Sequence, residues 1–542
     1  MESMTKERQD LLVDAARYPI LDEKQLGQLN RIVQLADQAD DDWDGWLMPP
    51  GMKGGDEHVR YQLAFMNYAL AAAVYNYTPA YRQLGERVSN NMIRKMIDYI
   101  SWGDIVIVSQ GNPLHNPIES LPLPTKYDPI QDFVMYSGHL LQMLVSHEML
   151  YNDMRFSQPN SLTFQHPPTF GFPEHFTAVP GKVFKYDLNS LVKQIYDQFE
   201  KNGWKGAECF PGAVFTLCNQ NPILGLKLYD QKHSTGFFAK VSQEYKAVRE
   251  QEGFLDPKTK SWAFFCHIHE KNPGWTGPND VGMSLPGVDG WVGAFMHAWD
   301  RDAVEKVYPA QRDSTIVTLP DGTGTVRLAE VLKDVPGGDK FYGQNHGYFA
   351  VMAAELGDTA TKEKMLNYAD KYFAPKWEGE SYYYPISPDF GRPGDPPNVV
   401  HFVTPLASSA LLALARILPK DGLYNMYNHP FTDEHFKEPF VSDVTYPEVQ
   451  VPRAVYDQRD EALVVTLRPG RTASTSAVRS WTFNNLDSKR DWGVWKDGRK
   501  IATLNGGAVR AEAGVTGLEA QGTTLKVSMP VEKETTFIVA RE

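Results

Sequence analysis

The sequence predicts a mainly α-helical protein, an (α/α)6 barrel followed by a small antiparallel β-sandwich domain. From about residue 22 to 420, apolar residues recur at helical spacing, interrupted by long loops rich in Pro, Gly and Asn. After about residue 445 the pattern changes to short alternating runs punctuated by Gly, Asn and Asp. The chain has 542 residues, 42% of them hydrophobic and 12% aromatic, enough for a sizeable core and more than one domain.

The helical stretches are, in order, "VRYQLAFMNYALAAAVYNY", "DFVMYSGHLLQMLVSHEMLYN", "DLNSLVKQIYDQFEKN", "GWVGAFMHAWDRDAVEKVY", "YGQNHGYFAVMAAELGD" and "VTPLASSALLALARIL". Repeated helix pairs joined by long loops suggest a toroid whose loops at one end surround a central pocket; bundles and solenoids share the pattern. Asn221-Pro222 predicts a helix start, with Asn221 as the cap and Pro222 in the first helical position. The segment "ECFPGAVFTLCN" is then the loop feeding that helix. "YNMYNHPFTDEHFKEPFVSDVTYPEVQVP" carries prolines and little periodicity and reads as a linker. "EALVVTLRPG", "RSWTFNN", "DWGVWKDGRKIATLN", "TTLKVSMPV" and "TTFIVARE" read as strands. The expected domains are 1–435 (catalytic barrel), 436–452 (linker) and 453–542 (sandwich).

A net charge of -13 without a Lys/Arg stripe argues against nucleic acid as a partner and fits a neutral or cationic small molecule, or an acidic surface kept only for solubility. No stretch approaches the roughly 20 apolar residues of a membrane span. The N-terminus lacks the apolar core of a secretory signal. Cys209, Cys218 and Cys266 are poor material for a disulfide framework, so a cytoplasmic protein with reduced thiols is expected. The chain has no G-x-G-x-x-G after a strand, no Walker motif and no G-x-S-x-G, which removes the common nucleotide-binding and serine-hydrolase classes.

Cys209 and Cys218 lie too far apart for a zinc C-x-x-C pair, leaving buried small hydrophobes or thiols lining a pocket. His139 is a lone histidine on an apolar helix, either a satisfied core residue or a group able to move a proton near neutral pH. "DQADDDWDGW" offers Asp40, Asp41, Asp42 and Asp44 as solvated turn residues, or as a base if one turns inward. "FFCHIHEKN" sets His267 and His269 beside Cys266 and Glu270, a pattern able to ligate a metal on a strand. It has no third ligand at a matching spacing, so no metal is expected.

Together these residues resemble the linalool dehydratase/isomerase family of cofactor-independent (α/α)6-barrel enzymes. "CFPGAVFTLCN" is similar to the family's segment of Cys, Pro, an aromatic, a second Cys at the same spacing, and Asn. "MYSGHL" matches its Met-Tyr-x-Gly-His-Leu run. "VRYQLAFMNYALA" resembles its Tyr-bearing helix, and "WVGAFMHAWDRDAVEKVYP" a later helix. The resemblance runs from about residue 25 to 420 and leaves the β domain outside.

The resemblance implies two pocket cysteines at Cys209 and Cys218, an acid/base histidine at His139, a helix tyrosine at Tyr61, and apolar pocket residues at Met135 and Phe215. The spacing after "QLA" selects Asp42 as the catalytic aspartate, with Asp41 and Asp44 a small shift away. Trp46 is the aromatic nearest a family pocket tyrosine. Trp291 and His269 complete the expected substrate-binding set. A second family tyrosine, four positions before Trp291, is Gly287 here, and no cysteine stands where the characterised member has an N-terminal disulfide. The implied function is a dehydratase/isomerase, without cofactor, acting on an allylic or activated alcohol of a terpenoid or other natural-product intermediate. The implied partners are a small lipophilic substrate and further copies of the chain, since family members form rings. The competing readings are a cofactor-free cyclase, a carbohydrate-active lyase or hydrolase using Glu208 and Asp289, and a lipophile-binding protein without activity.

Overall fold

The computed structural model describes residues 13–46, 59–105, 128–131, 133–170, 178–179, 181–209, 212–268, 286–327, 342–387, 392–396 and 399–542. A helical N-terminal region is followed by an antiparallel sheet domain. The helices used below are α1 (Glu23–Ala36), α2 (Val59–Tyr77), α3 (Gln83–Ile97), α4 (Val134–Tyr151), α5 (Leu188–Lys201), α6 (Gln220–His233), α7 (Phe237–Gln251), α8 (Pro286–Met296), α9 (Arg301–Thr315), α10 (Tyr342–Glu355), α11 (Thr359–Tyr372) and α12 (Leu412–Ile417).

These helices are of two kinds. The even-numbered ones carry few charges; in α4 every residue is buried. A helix apolar all round has to be enclosed by others. Odd-numbered helices bury one stripe, as α5 does with Leu188, Leu191, Val192, Ile195 and Phe199, and carry more charge, most of it outside that stripe. Along the even series α2 packs on α4, α4 on α6, α6 on α8, α8 on α10 and α10 on α12, while α12 also packs on α2. The α4–α6 approach is close: a side chain at Gly138 would meet the Pro222 ring at 2.8 Å.

Three local expectations need correction. Asn221 is not the cap of α6; Asn219 holds that position, and Asn221 is the second residue of the helix, its amide directed into the protein. The single helix expected over "GWVGAFMHAWDRDAVEKVY" is two, α8 and α9, broken at 297–300 because neighbouring helices take the polar groups there. Asp300 pairs with Arg249 of α7 and His297 with Glu355 of α10. The last helical stretch begins with a π-helical turn, Ala407–Leu411, before α12.

The sheet domain holds a four-stranded and a six-stranded antiparallel sheet. Its first strand, Phe440–Ser442, lies within the stretch read as a linker and pairs with Val478–Asn484. Val441, Trp481, Phe483 and Val527 of the smaller sheet share one core with Leu463, Val465, Val494 and Phe537 of the larger. The hairpin between Trp492–Lys496 and Arg499–Asn505 turns at Asp497-Gly498, both at positive φ, which is the chemistry a two-residue turn requires. Main-chain bonds tie the domain to the helices: Ala80 N–H donates to Ala454 O, and Val441 N–H donates to Ala80 O, both at 2.9 Å. No helix among the described residues is long and apolar enough to cross a membrane.

Candidate active site

Helix α2 presents Tyr61, Phe65 and Tyr68 at i, i+4 and i+7, one face of a helix. Opposite, α4 presents His139, with Met135 one turn before it and Gln142 one turn after. The His139 ring lies 5.3 Å from Tyr61, 5.7 Å from Phe65 and 5.4 Å from Trp291, centroid to centroid. Trp291 stacks on Tyr348 at 5.0 Å. Four elements thus close an aromatic wall around one imidazole.

That imidazole is 1% exposed. Its Nδ1 lies 2.8 Å from the Tyr68 hydroxyl, whereas its Nε2 is buried without a hydrogen-bond partner among the described residues. Burial, with the nearby Arg60 cation second, pushes its pKa down to about 3, so it is neutral at physiological pH. Arg60 is itself fully buried and forms a two-pronged pair with Asp104, at 2.7 and 3.0 Å. Its guanidinium lies 5.2 Å from the Tyr61 ring centre.

The cysteine loop completes the cluster. Strand β1 (Ala213–Phe215) pairs with β2 (Phe265–His267), and Cys209 N–H donates to Ala213 O at 3.0 Å, which folds the loop back on itself. Both amide ends of Asn219 bind the Ala207 main chain. Cys209 and Cys218 become neighbours by this route. Burial first, then the hydrogen bond to Cys218, raises the Cys209 thiol pKa well above its usual value. The half-buried Tyr61 hydroxyl is likewise raised, by burial first and then by Cys218, with Arg60 opposing. The Phe215 main chain bonds the Cys209 thiol, and the Phe215 ring packs against Phe264 and Phe265.

The structure therefore brings together Tyr61, His139, Cys209, Cys218 and Trp291, with Met135 and Phe215 on the same elements. Asp42 is exposed on a turn, where its carboxylate accepts from Asp44 N–H at 3.0 Å and its carbonyl accepts from Lys95. This is the solvated-turn alternative. Trp46 is buried, but donates to Gln38 and packs on Trp43. His269 lies outside the described residues. Gly287 leaves no room for the family's tyrosine, since a side chain there would meet the Asn345 amide oxygen at 2.2 Å.

Sequence reasoning missed Tyr68, Gln142 and Asn221. Tyr68 was within reach, two helical turns from Tyr61. It also missed His297, Glu355 and Asp421, whose potential ligand atoms lie within 4.8 Å of one another. Glu355 there accepts from Leu423 N–H, Tyr424 N–H and His297, while Arg301 faces Asp421, so the group's charges are compensated from within.

The carboxylates of the carbohydrate alternative each hold a main-chain amide: Glu208 accepts from Gly212 N–H and Asp289 from Trp262 N–H. Burial pushes Asp289 up to about 7. A raised acid adds stability that is complete below its ordinary pKa of 3.8 and is lost as pH rises through 7. Asp289→Asn should therefore gain on the native protein between about pH 4 and about pH 7, by at most about 1.4 kcal/mol per pH unit, read from urea midpoints across that range.

The model of the family described as linalool dehydratase/isomerase matches residues 60–390, more than half of the 542-residue chain. The chain belongs to that family. Tyr61, His139, Cys209, Cys218 and Trp291 fall inside the matched span; Asp42 and Trp46 precede it. Linalool dehydratase/isomerase membership implies an enzyme of the dehydratase/isomerase kind. Among solved structures the chain is similar to the GH76A alpha-1,6-mannanase from Salegentibacter sp. HEL1_6, at 11% identity and TM-score 0.37, over 75% of this chain and 100% of that one. It is also similar to Dfg5 from Chaetomium thermophilum in complex with glucosamine, at 13% identity and TM-score 0.40, over 77% and 94%. Likenesses this distant carry no functional argument.

Proposed function

We propose that the protein removes water from, or rearranges, an allylic or otherwise activated alcohol using its own side chains as acid and base. The observation that carries this is a buried imidazole, its Nε2 without a hydrogen-bond partner among the described residues, facing Tyr61, which in turn stands beside a hydrogen-bonded pair of thiols. Hydroxide leaves only when protonated, and an adjacent carbon has to give up a proton to close the alkene. In this reading one proton passes from the thiol pair to the departing hydroxyl, and one returns to the pair from the adjacent carbon. The enzyme ends as it began, and the products are an alkene and water. The aromatic faces stabilise positive charge developing on carbon, and His139 and Tyr61 orient the hydroxyl. The substrate class, a small lipophilic terpenoid or related alcohol, rests on the apolar wall and on the family.

We further read the helices as a closed (α/α)6 barrel and the two sheets as a sandwich. Support for the first is the sequence of even-numbered contacts that returns from α12 to α2, with odd-numbered helices outside. Support for the second is the core shared by the two sheets.

Incubation with a panel of allylic and tertiary alcohols, followed by mass spectrometry, should reveal a product lighter by one water. With His139 neutral and the Cys209 thiol raised, kcat/KM for that alcohol should be flat from about pH 5 to about pH 8. An inflection near the ordinary histidine pKa would contradict the neutral site.

A further inference from the structure

We propose that Trp291, Asn221 and Tyr68 form a chain of directed hydrogen bonds that fixes His139 as the tautomer protonated on Nε2, so that it presents a donor to the substrate hydroxyl. The inference rests on the site described under Proposed function and assigns positioning roles to two residues, Tyr68 and Asn221, outside the expected catalytic set.

The direction of the chain is set at its far end. An indole N–H can only donate. Trp291 Nε1 lies 2.9 Å from Asn221 Oδ1, which fixes that amide with its oxygen toward Trp291 and its NH2 the other way. The NH2 donates to Gln142 Oε1 at 2.6 Å and, at a longer 3.5 Å, to the Tyr68 hydroxyl oxygen. Tyr68 already faces a donor on that side, so its own proton goes to its other neighbour, His139 Nδ1 at 2.8 Å. An Nδ1 that accepts leaves the imidazole proton on Nε2, and that nitrogen has no hydrogen-bond partner among the described residues. Tyr68, Gln142, Asn221 and Trp291 are all buried, so water does not compete for these bonds. The tautomer is therefore chosen by a tryptophan on α8, two hydrogen bonds before the histidine's own.

The test is 15N NMR of the resting protein labelled at histidine, with His139 assigned by comparison with His139→Gln. The expected spectrum has His139 protonated on Nε2 and unchanged between about pH 5 and about pH 8. In Asn221→Asp a carboxylate replaces the NH2 and draws the Tyr68 proton to itself, so His139 should switch to the Nδ1–H tautomer and donate to Tyr68. Tyr68→Phe, which removes the donor with little change of shape, should abolish the preference for Nε2–H and lower kcat by about 10²-fold with little change in KM. An Nδ1–H tautomer in the native protein, or an unaltered tautomer in both variants, overturns the proposal. An Nε2–H tautomer that switches as described, in a protein that turns over no alcohol, upholds the relay and removes the functional reading instead.

Discussion

Cys209→Ala and Cys218→Ala each lower kcat by about 10³-fold while leaving the protein folded. A positioned proton donor or acceptor contributes about 10²- to 10⁴-fold, and the two thiols act as one unit through their shared hydrogen bond. The double variant should therefore be little worse than either single one, since effects within a unit do not add. Removing one buried sulfur costs only about 1 kcal/mol of packing, so a cooperative melt near that of the native protein is expected alongside the loss of turnover. Steady-state rates and thermal melts of all three variants check this; turnover at the native rate in either single variant would contradict the proposed chemistry.

The largest effect on stability is expected from Glu355→Ala. Glu355 is completely buried and accepts from Leu423 N–H at 2.8 Å, Tyr424 N–H at 2.9 Å and His297 Nδ1 at 2.9 Å. Its removal leaves two buried donors and one half-buried donor, Tyr424 N–H, without this acceptor, at roughly 1–3 kcal/mol for each buried one. A loss of at least about 3 kcal/mol is expected in urea unfolding. Glu355→Gln should recover part of it, because the amide oxygen still accepts while its NH2 meets an N–H head on.

Much of this was legible in the sequence because it is local. Tyr61 is named through the family resemblance, and helical spacing would put Phe65 and Tyr68 on the same face; His139 stands out as a histidine in the apolar run "MYSGHLLQML". The alternation of "EALVVTLRPG" marks a strand of the sheet domain, whereas "DWGVWKDGRKIATLN", read as one run, is two strands joined at Asp497-Gly498. What was not legible depends on partners distant in the chain. Asn221 before Pro222 reads as a helix cap, yet its amide is claimed by Trp291, seventy positions on. The apolar spacing of "GWVGAFMHAWDRDAVEKVY" runs through His297 and Asp300, whose partners Glu355 and Arg249 lie on other helices, at the break between α8 and α9. Asp42 shows the converse: acidic residues clustered at a helix end look alike whether solvated or catalytic, and its carboxylate is spent on its own turn.

The central claim is that protons held by the thiol pair are exchanged with carbon and oxygen of an alcohol. The most direct test is to run the alcohol panel with native protein in deuterium oxide and follow both product and recovered alcohol by mass spectrometry. Water loss from the alcohol, and on running the reaction backwards from the alkene an alcohol that carries carbon-bound deuterium beside the hydroxyl carbon, are predicted for the native protein and not for the Cys209→Ala/Cys218→Ala variant. Water loss at the native rate, or exchange at carbon, that persists in the double variant would contradict it.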